Sequence, residues 1–207
     1  LNASYATGFV VDQARQTRLT NKSMELSQRA ACRLIAWTCD ARKMPFEELE
    51  TRLLSSKPTD VPAMYAYASS WAGWIQAHSD DWAAIAELAR VKALMEKVVE
   101  LDASYDEGAA VMYLGVFETL LPPAMGGRPE VGRRYFERAI EISGGRYLMA
   151  KVLYAEKYAR LVFDRELHDT LLSEVTDADP YGEALTLINL VAQDQAAALL
   201  KSADEYF

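Results

Sequence analysis

The fold is decided by YLGVFETLLPPAMGGRPEVGRRYFERAIEISGG, the stretch from Tyr113 to Gly145. Two segments with a helical pattern flank an interruption rich in proline and glycine. Pro122 and Pro123 cannot continue a helix, whereas Gly126 and Gly127 permit positive φ. The sequence therefore predicts a pair of helices joined by a long, shaped loop. The loop is either a plain surface insertion or the edge of a functional opening.

The pair matches a degenerate tetratricopeptide repeat, which has Leu-Gly and an aromatic on its first helix and a small residue, an aromatic and a breaker on its second. The matching positions are Val111, Leu114, Gly115, Gly132, Phe136 and Gly144. Glu118 stands where the first-helix aromatic belongs. Because small residues let two helix axes approach closely, we expect Gly115 and Gly132 to set the packing of one antiparallel pair.

Copies of the unit extend in both directions along the chain. Two pairs of residues repeat the Phe136 and Ala139 marker, 41 residues earlier and 36 later; they are Met95 with Val98 and Leu172 with Val175. Strand-like alternation is almost absent, and 51% of the 207 residues are apolar. The sequence predicts an all-α fold of tetratricopeptide-like hairpins stacked into a compact superhelix, forming a single domain over residues 1–207.

Periodicity and end signals place ten helices. Their approximate ranges are 9–19, 22–42, 45–55, 60–78, 81–101, 105–121, 129–143, 146–163, 165–177 and 181–206. We expect Asp81 to cap one helix at its start, and the Gly144-Gly145 pair and Pro180 to end two others.

The net charge of −8 argues against nucleic acid as a partner, since no Lys/Arg cluster offers a stripe that could follow phosphates. No run approaches the roughly 18 apolar residues of a membrane-spanning helix. The chain begins at Leu1 without an initiator Met, so we expect that an upstream segment has been removed.

Cys32 and Cys39 are the two cysteines. On a continuous helix over residues 22–42 they would lie roughly 10 Å apart along the axis, too far for a disulfide within that helix. The sequence predicts buried free thiols in preference to metal ligands, because neither histidine is near them.

No motif for reaction chemistry is present: the chain has no phosphate loop, nucleophile elbow, H-E-x-x-H or C-x-x-C. We expect Glu47, Glu48 and Glu50 to form a solvated helix face. His78 and His168 lie near helix ends, where backbone carbonyls or water usually satisfy a histidine. We therefore expect no enzyme activity, no metal and no cofactor.

The helix faces turned toward the axis of the superhelix are apolar or small, where a peptide-binding solenoid carries Lys, Arg and Asn. They comprise Ala109, Met112, Val116, Thr119 and Leu120 in one unit and Ala66, Ser69, Gly73, Gln76 and Ala77 in the preceding one. Such a lining encloses either a filled core or an apolar channel. Small residues fill space poorly, which favours the channel.

The chain also resembles a known family. The resemblance rests on the stretch from Tyr113 to Ala159, on the segments DRELHDTLLSEVTDADP and INLVAQDQAAALLKSADEYF, and on the signature GG-x-P-E-x-x-x-x-x-F-E-x-A from Gly126 to Ala139. They resemble the T component of TPR-protein-associated TRAP transporters, a group of bacterial periplasmic lipoproteins. The resemblance implies a fold of helical hairpins around a hydrophobic pore. It also implies that the partner is a periplasmic solute-binding protein, which delivers solute to an ion-driven membrane permease. It also implies a lipid-bearing N-terminal Cys in the precursor, which this chain lacks.

We hypothesise that the protein docks that partner in the periplasm and holds or passes a hydrophobic or amphipathic ligand. The expected lining residues are Tyr65, Ser69, Trp74, Met112, Val116, Thr119 and Leu120, with Met125 near the mouth of the passage. A plain protein-protein scaffold with a solid inner face is the alternative. A third interpretation is a helical hydrolase or lyase that uses Glu118 or Glu156. Solenoids often self-associate, so a homo-oligomer is a further expectation.

Overall fold

The computed structural model describes residues 12–207, which are helical with no strand in this range. The chain divides into two compact units, Leu1–Ala103 and Ser104–Phe207, and each is described by itself. The all-α class is therefore confirmed for the described part. The single domain, the superhelix and the pore stay predictions.

Unit 1 is built on three helices that pack in sequence. Its elements are α1 (Gln13–Leu34), a 3₁₀ turn (Ala36–Asp40), α2 (Phe46–Leu53), a second 3₁₀ turn (Pro58–Asp60), α3 (Val61–Ala77), α4 (Trp82–Ala86) and α5 (Leu88–Leu101). α3 packs against both α1 and α5. Because it lies between two neighbours, α3 carries large buried side chains, Tyr67 and Trp71 among them.

The first helix differs from the prediction at both ends. Residues 9–11 of the predicted 9–19 helix lie outside the described residues, and the expected break near residue 20 is absent because α1 runs unbroken from Gln13. The predicted 22–42 helix ends eight residues early, at Leu34. Ile35 takes an extended conformation (φ −132°, ψ 93°), and the chain turns back there.

This turn brings the two cysteines together. Cys32, in the last turn of α1, and Cys39, in the following 3₁₀ turn, form a disulfide with their Cα atoms 4.5 Å apart. The prediction of free thiols was wrong, because it assumed a helix that continues to residue 42. Gln28 donates from Nε2 to the Cys39 carbonyl at 3.3 Å and further fixes the turn.

Unit 2 begins with the helix pair that the sequence analysis singled out. Its elements are α6 (Tyr105–Thr119), a 3₁₀ turn (Pro123–Met125), α7 (Pro129–Ile142), α8 (Leu148–Leu153), a π-helical turn (Tyr154–Ala159), α9 (Arg165–Asp177), α10 (Thr186–Lys201) and α11 (Ala203–Tyr206). The predicted 181–206 helix is shorter at its start and interrupted at Ser202.

The crossing of α6 and α7 confirms the role of the two small residues. A Cβ at Gly115 would lie 2.9 Å from the Phe136 ring, and one at Gly132 would lie 2.6 Å from the Thr119 methyl group. Gly108, which precedes Gly115 on α6, faces Ile142, which follows Phe136 on α7, so the two helices run antiparallel. Close approach of these helices requires glycine at both positions of the crossing.

Several helix ends follow the sequence signals. Asp81 caps α4 by accepting from the Ala83 N–H at 2.8 Å. α7 ends at Ile142 and is followed by Gly144 and Gly145, both with positive φ. The start of α6 is a left-handed run that no sequence signal marks: Asp106, Glu107 and Gly108 all have positive φ. All three marker pairs of the repeat are fully buried, although the repeat architecture stays a prediction.

Candidate functional site

The loop between α6 and α7 has a defined shape. After Pro122 the chain makes one 3₁₀ turn, and the N–H groups of Met125 and Gly127 both donate to the Pro122 carbonyl, at 2.9 and 3.1 Å. Gly126 ends the turn in the left-handed region, at φ 92°. The prediction of a long, shaped loop is confirmed.

Gly127 is required by contact with the loop's own backbone. A Cβ at this position would lie 1.6 Å from the Leu121 carbonyl oxygen, well inside the contact distance. At Gly126, by contrast, a Cβ would meet open space, and only the positive φ favours glycine. The two adjacent glycines therefore serve different purposes.

A buried carboxylate ties the end of the loop to α6. Arg128 donates from Nε and Nη2 to the two Glu118 carboxylate oxygens at 2.6 and 2.5 Å, and its backbone N–H donates to the Glu118 carbonyl at 2.9 Å. The Glu118 side chain is only 4% exposed. This clamp explains why a glutamate occupies the aromatic position of the repeat pattern.

The clamped loop presents apolar side chains to solvent. Leu120, Leu121 and Met125 are 46%, 45% and 66% exposed, and the residues between them are exposed too. Because the backbone beneath them is fixed, these side chains form a preorganised apolar surface, which we call the loop surface (Leu120–Met125).

The other α6 residues expected to line a passage have different surroundings. Met112 is buried and Val116 is half-buried. Thr119, expected on the face turned toward the axis of the superhelix, packs on α7 instead: its methyl group lies against Gly132, and its hydroxyl donates to the Gly115 and Val116 carbonyls at 3.0 Å each. Thr119 therefore belongs to the α6–α7 crossing.

The three expected lining residues of α3 are half-buried within unit 1. Ser69 donates to the Ala66 carbonyl at 3.3 Å. The Trp74 indole N–H donates to the Asn21 side-chain oxygen at 2.7 Å, and the Arg42 guanidinium lies 4.3 Å from the centre of the Trp74 ring. Trp74 is thus held by partners in its own unit, and Tyr65 lies on the same helix.

Arg42 is also the centre of a polar cluster that the sequence analysis missed. It forms a bidentate pair with Glu87 at 2.9 and 2.8 Å, and the Trp71 indole N–H donates to the same carboxylate at 2.6 Å. Tyr67 stacks on Trp71, and burial raises the pKa of its hydroxyl above the ordinary value. A cavity of about 400 Å³ adjoins the cluster, lined by Gln28, Cys39, Arg42, Lys43 and Glu87.

A second network missed at the sequence level joins the π-helical turn to α7. Tyr154 donates to Glu137 at 3.1 Å and Tyr158 donates to Glu130 at 2.8 Å. Burial, followed by the neighbouring carboxylate, raises the pKa of both tyrosines. The spacing of Glu130 and Glu137 by seven residues was visible in the sequence, but the π turn that directs both hydroxyls to them was not.

The two histidines have different partners. His78 follows α3, and its Nδ1 lies 2.8 Å from the Trp74 carbonyl oxygen, which confirms the expected backbone partner. His168 is fully buried, and its partners are side chains instead: Arg160 donates to Nε2 at 3.2 Å, and Nδ1 bonds Asp169 at 2.8 Å. The hydrogen bond from His168 is the main cause that lowers the pKa of Asp169.

The acidic residues considered as catalytic groups are either held in ion pairs or exposed to solvent. Glu118 is held by Arg128, and Glu156 pairs with Lys157 at 2.8 Å. The three glutamates of α2 are exposed, and Glu48 pairs with Arg52, as expected of a solvated face. Within residues 12–207 no three His, Cys, Asp or Glu side chains are grouped as metal ligands would be.

The family model described as TRAP transporter T-component matches residues 3–207. The chain belongs to this family. No curated protein matches this T component. None of the helices described here is long and apolar enough to cross a membrane. The T component is an accessory part of a transporter, and the family is not one of enzymes.

The signature from Gly126 to Ala139 has a structural role at nearly every fixed position of this T component. Its glycines shape the loop, and Pro129 begins α7. Glu130 and Glu137 accept the two tyrosine hydroxyls. Phe136 packs on Gly115 and stacks on Tyr154, with the ring centres 5.5 Å apart. The signature therefore encodes the α6–α7 crossing, its loop and the attachment of the π turn.

Proposed function

We propose that this T component works in the periplasm, docks the substrate-binding protein of its TRAP system, and holds or passes a hydrophobic or amphipathic ligand. Family membership supports the transport role. The observation that carries the ligand role is the loop surface, which is apolar, solvent-facing and fixed by the Glu118–Arg128 clamp. Transfer of an apolar ligand from water onto such a surface is favourable by roughly 25 cal/mol per Å² buried.

The disulfide supports the proposed compartment. Disulfides persist in oxidising environments such as the bacterial periplasm and are rare in the cytosol. Both cysteines of the chain are used in this bond, so neither is the lipid-bearing residue that the family resemblance implies. We propose that a lipid anchor in the precursor tethers the protein to the membrane.

Among the proposed lining residues, Leu120 and Met125 are the most accessible to a ligand, and Val116 is the next. Met112 and Thr119 would have to contribute from within the helix packing. Tyr65, Ser69 and Trp74 of unit 1 are proposed as secondary lining residues on the strength of their partial exposure.

Two measurements test the ligand role. Met125→Gln keeps the length of the side chain but removes its apolar character, so we expect the affinity for a dansyl-labelled fatty acid, titrated by fluorescence, to fall about tenfold. Leu187→Gln, on α10, changes a side chain that is 47% exposed and serves as the control. Equal affinities of the two variants would remove the loop surface from the ligand path.

The second measurement concerns passage. Val116→Trp enlarges a half-buried side chain of α6, and we expect it to fold normally but to abolish uptake of a hydrophobic substrate in cells that depend on this transport system. Unchanged uptake by a folded variant contradicts the passage role.

A plain interaction scaffold is the second candidate function. The burial of Ala109, Met112 and Thr119 favours it, because a solid inner face is what a scaffold without a channel requires. A T component that binds its partner but shows no affinity for the dansyl probe would support the scaffold over the ligand carrier.

A further inference from the structure

Unit 2 exposes a second apolar surface, where the π turn meets the C-terminal helix. The rings of Phe163, Tyr206 and Phe207 contact one another, with ring centres 5.2 to 5.8 Å apart. Phe163 is 66% exposed and Tyr206 is 43% exposed, and Val162 adds a further exposed side chain. We call Phe163, Tyr206 and Phe207 the aromatic corner.

The corner rests on a fixed polar base. The Arg160 guanidinium lies 4.6 Å from the centre of the Tyr206 ring and donates to the Leu199 carbonyl and the Ser202 hydroxyl at 3.1 and 2.9 Å. Phe207 packs edge-on against the buried His168 ring. Because its base is ordered by these contacts, the corner loses little conformational entropy when a partner covers it.

Phe163 has an unfavourable backbone conformation. Its φ is 61°, in the left-handed region where a bulky side chain is a genuine outlier and glycine is preferred. A strained residue persists when the surrounding structure holds it, and such residues cluster at functional sites. Here the left-handed backbone belongs to a large aromatic side chain that is mostly exposed to solvent.

The charges around the corner define its partner. The exposed acids near the rings in sequence are Asp164, Glu166, Asp204 and Glu205, and the exposed bases are Arg165, which pairs with Asp204, and Lys201. Residues 164–207 as a whole carry ten Asp/Glu and two Lys/Arg. A second copy of this surface and an anionic lipid headgroup would both be repelled, whereas a protein surface with basic residues around an apolar centre would be attracted.

We propose that the aromatic corner is a docking site for a protein partner with a basic rim and an apolar centre. This inference rests on the proposed function, because the partner that we assign to it is the substrate-binding protein of the same TRAP system. Phe163 is the apolar anchor of the contact, and the acidic rim steers the approach of the partner.

Phe163→Gly tests the site without the ambiguity of a damaged fold. Glycine relieves the left-handed backbone while removing the ring, so the melting temperature should stay the same or rise. Affinity for the purified substrate-binding protein, measured by calorimetry, should fall at least about tenfold, as for a hot-spot aromatic. Leu187→Ala, an exposed apolar side chain on α10, should leave the affinity unchanged.

The charge argument has its own variant. Glu205→Lys should weaken binding and reduce its dependence on ionic strength, because it replaces an attractive negative charge of the rim with a repulsive positive one. If the wild-type chain binds the partner and Phe163→Gly binds equally well, the docking site is overturned while the proposed function stands. If the wild-type chain does not bind the substrate-binding protein, the docking part of the proposed function is wrong, and the docking site at the aromatic corner is overturned with it.

Other possible partners of the aromatic corner would give distinct results. A sedimentation coefficient that falls to the monomer value in Phe163→Gly, but not in Leu187→Ala, would make the corner a contact between copies of this chain. Phe163-dependent binding to vesicles of phosphatidylglycerol would make it a lipid contact. Either result overturns the assignment to a basic protein partner.

Discussion

The two units fix the connection between their first two helices in opposite ways. In unit 1 the turn after α1 is closed by the Cys32–Cys39 disulfide and continues into the Arg42–Glu87 pair. In unit 2 the loop after α6 has no covalent link and depends on Gly127 and the Glu118–Arg128 clamp. One connection depends on the redox state of its surroundings, and the other depends only on backbone shape and on a buried carboxylate paired with an arginine.

The largest effect should come from the backbone contact of unit 2. Gly127→Ala places a methyl group within the Leu121 carbonyl, so the loop must move, and we expect a loss of about 3 kcal/mol or more in the free energy of unfolding, measured in urea. Gly126→Ala is the matched control and should cost only about 1 to 2 kcal/mol, because open space surrounds it and only φ is unfavourable. Similar losses for both variants would show that the loop is not held by this contact.

The covalent connection of unit 1 should contribute somewhat less. A disulfide that closes a loop of this short length stabilises by roughly 2.5 kcal/mol in the chain-entropy estimate. We expect the Cys32→Ser/Cys39→Ser variant to lose about that amount, and tryptophan emission to change because Arg42 lies over Trp74. Treatment of the wild-type chain with a dithiol should give the same change, and treatment of the variant should give none.

The Arg128–Glu118 and Arg42–Glu87 pairs, in which Nε and Nη2 each donate to one carboxylate oxygen, allow a direct comparison. Arg128→Ala deprives a carboxylate that is 4% exposed of its guanidinium, whereas Arg42→Ala does so for one that is 21% exposed. We expect losses of about 2 to 3 kcal/mol for Arg128→Ala and about 1 kcal/mol for Arg42→Ala, because the desolvated carboxylate depends more on its partner. The reverse order in urea unfolding would mean that the tryptophans around Arg42 outweigh carboxylate burial.

The smallest effect concerns the stability of the chain at acidic pH. The pKa of Asp169 is lowered in the folded chain, first by its hydrogen bond from His168, so its contribution to stability is present above the unfolded pKa of about 3.9 and is lost as pH falls through the folded pKa. We expect Asp169→Asn to lower the free energy of unfolding slightly at pH 7. Below about pH 4, the variant should lose stability less steeply than the wild type. Parallel curves for variant and wild type would assign the acid response to other carboxylates.

The sequence predicted the parts of unit 2 that follow from local rules. Gly115 and Gly132 were recognised because a helix crossing needs small residues, and the proline and glycine pairs identified the loop. The disulfide was missed because residues 32–42 contain no glycine or proline to mark the end of α1 at Leu34. With the helix drawn too long, the two cysteines were placed too far apart.

The candidate site was predictable to a smaller extent. Leu120 and Met125 could be identified as apolar residues beside a shaped loop, but their exposure depends on the Glu118–Arg128 clamp, which joins residues ten apart in the sequence. The left-handed conformation of Phe163 has no sequence signal at all, since a bulky residue there contradicts the usual preference.

The π-helical turn at Tyr154–Ala159 has a consequence for natural variation in this family. Its hydrogen bonds span five residues instead of four, as in the bond from the Arg160 N–H to the Ala155 carbonyl at 3.2 Å, so the turn holds one residue more than an α-helix would. Deletion of a single residue here would restore an ordinary helix and swing Tyr158 about 100° around the axis, away from Glu130. A one-residue gap at this place in an alignment would therefore identify relatives that attach the segment to α7 differently.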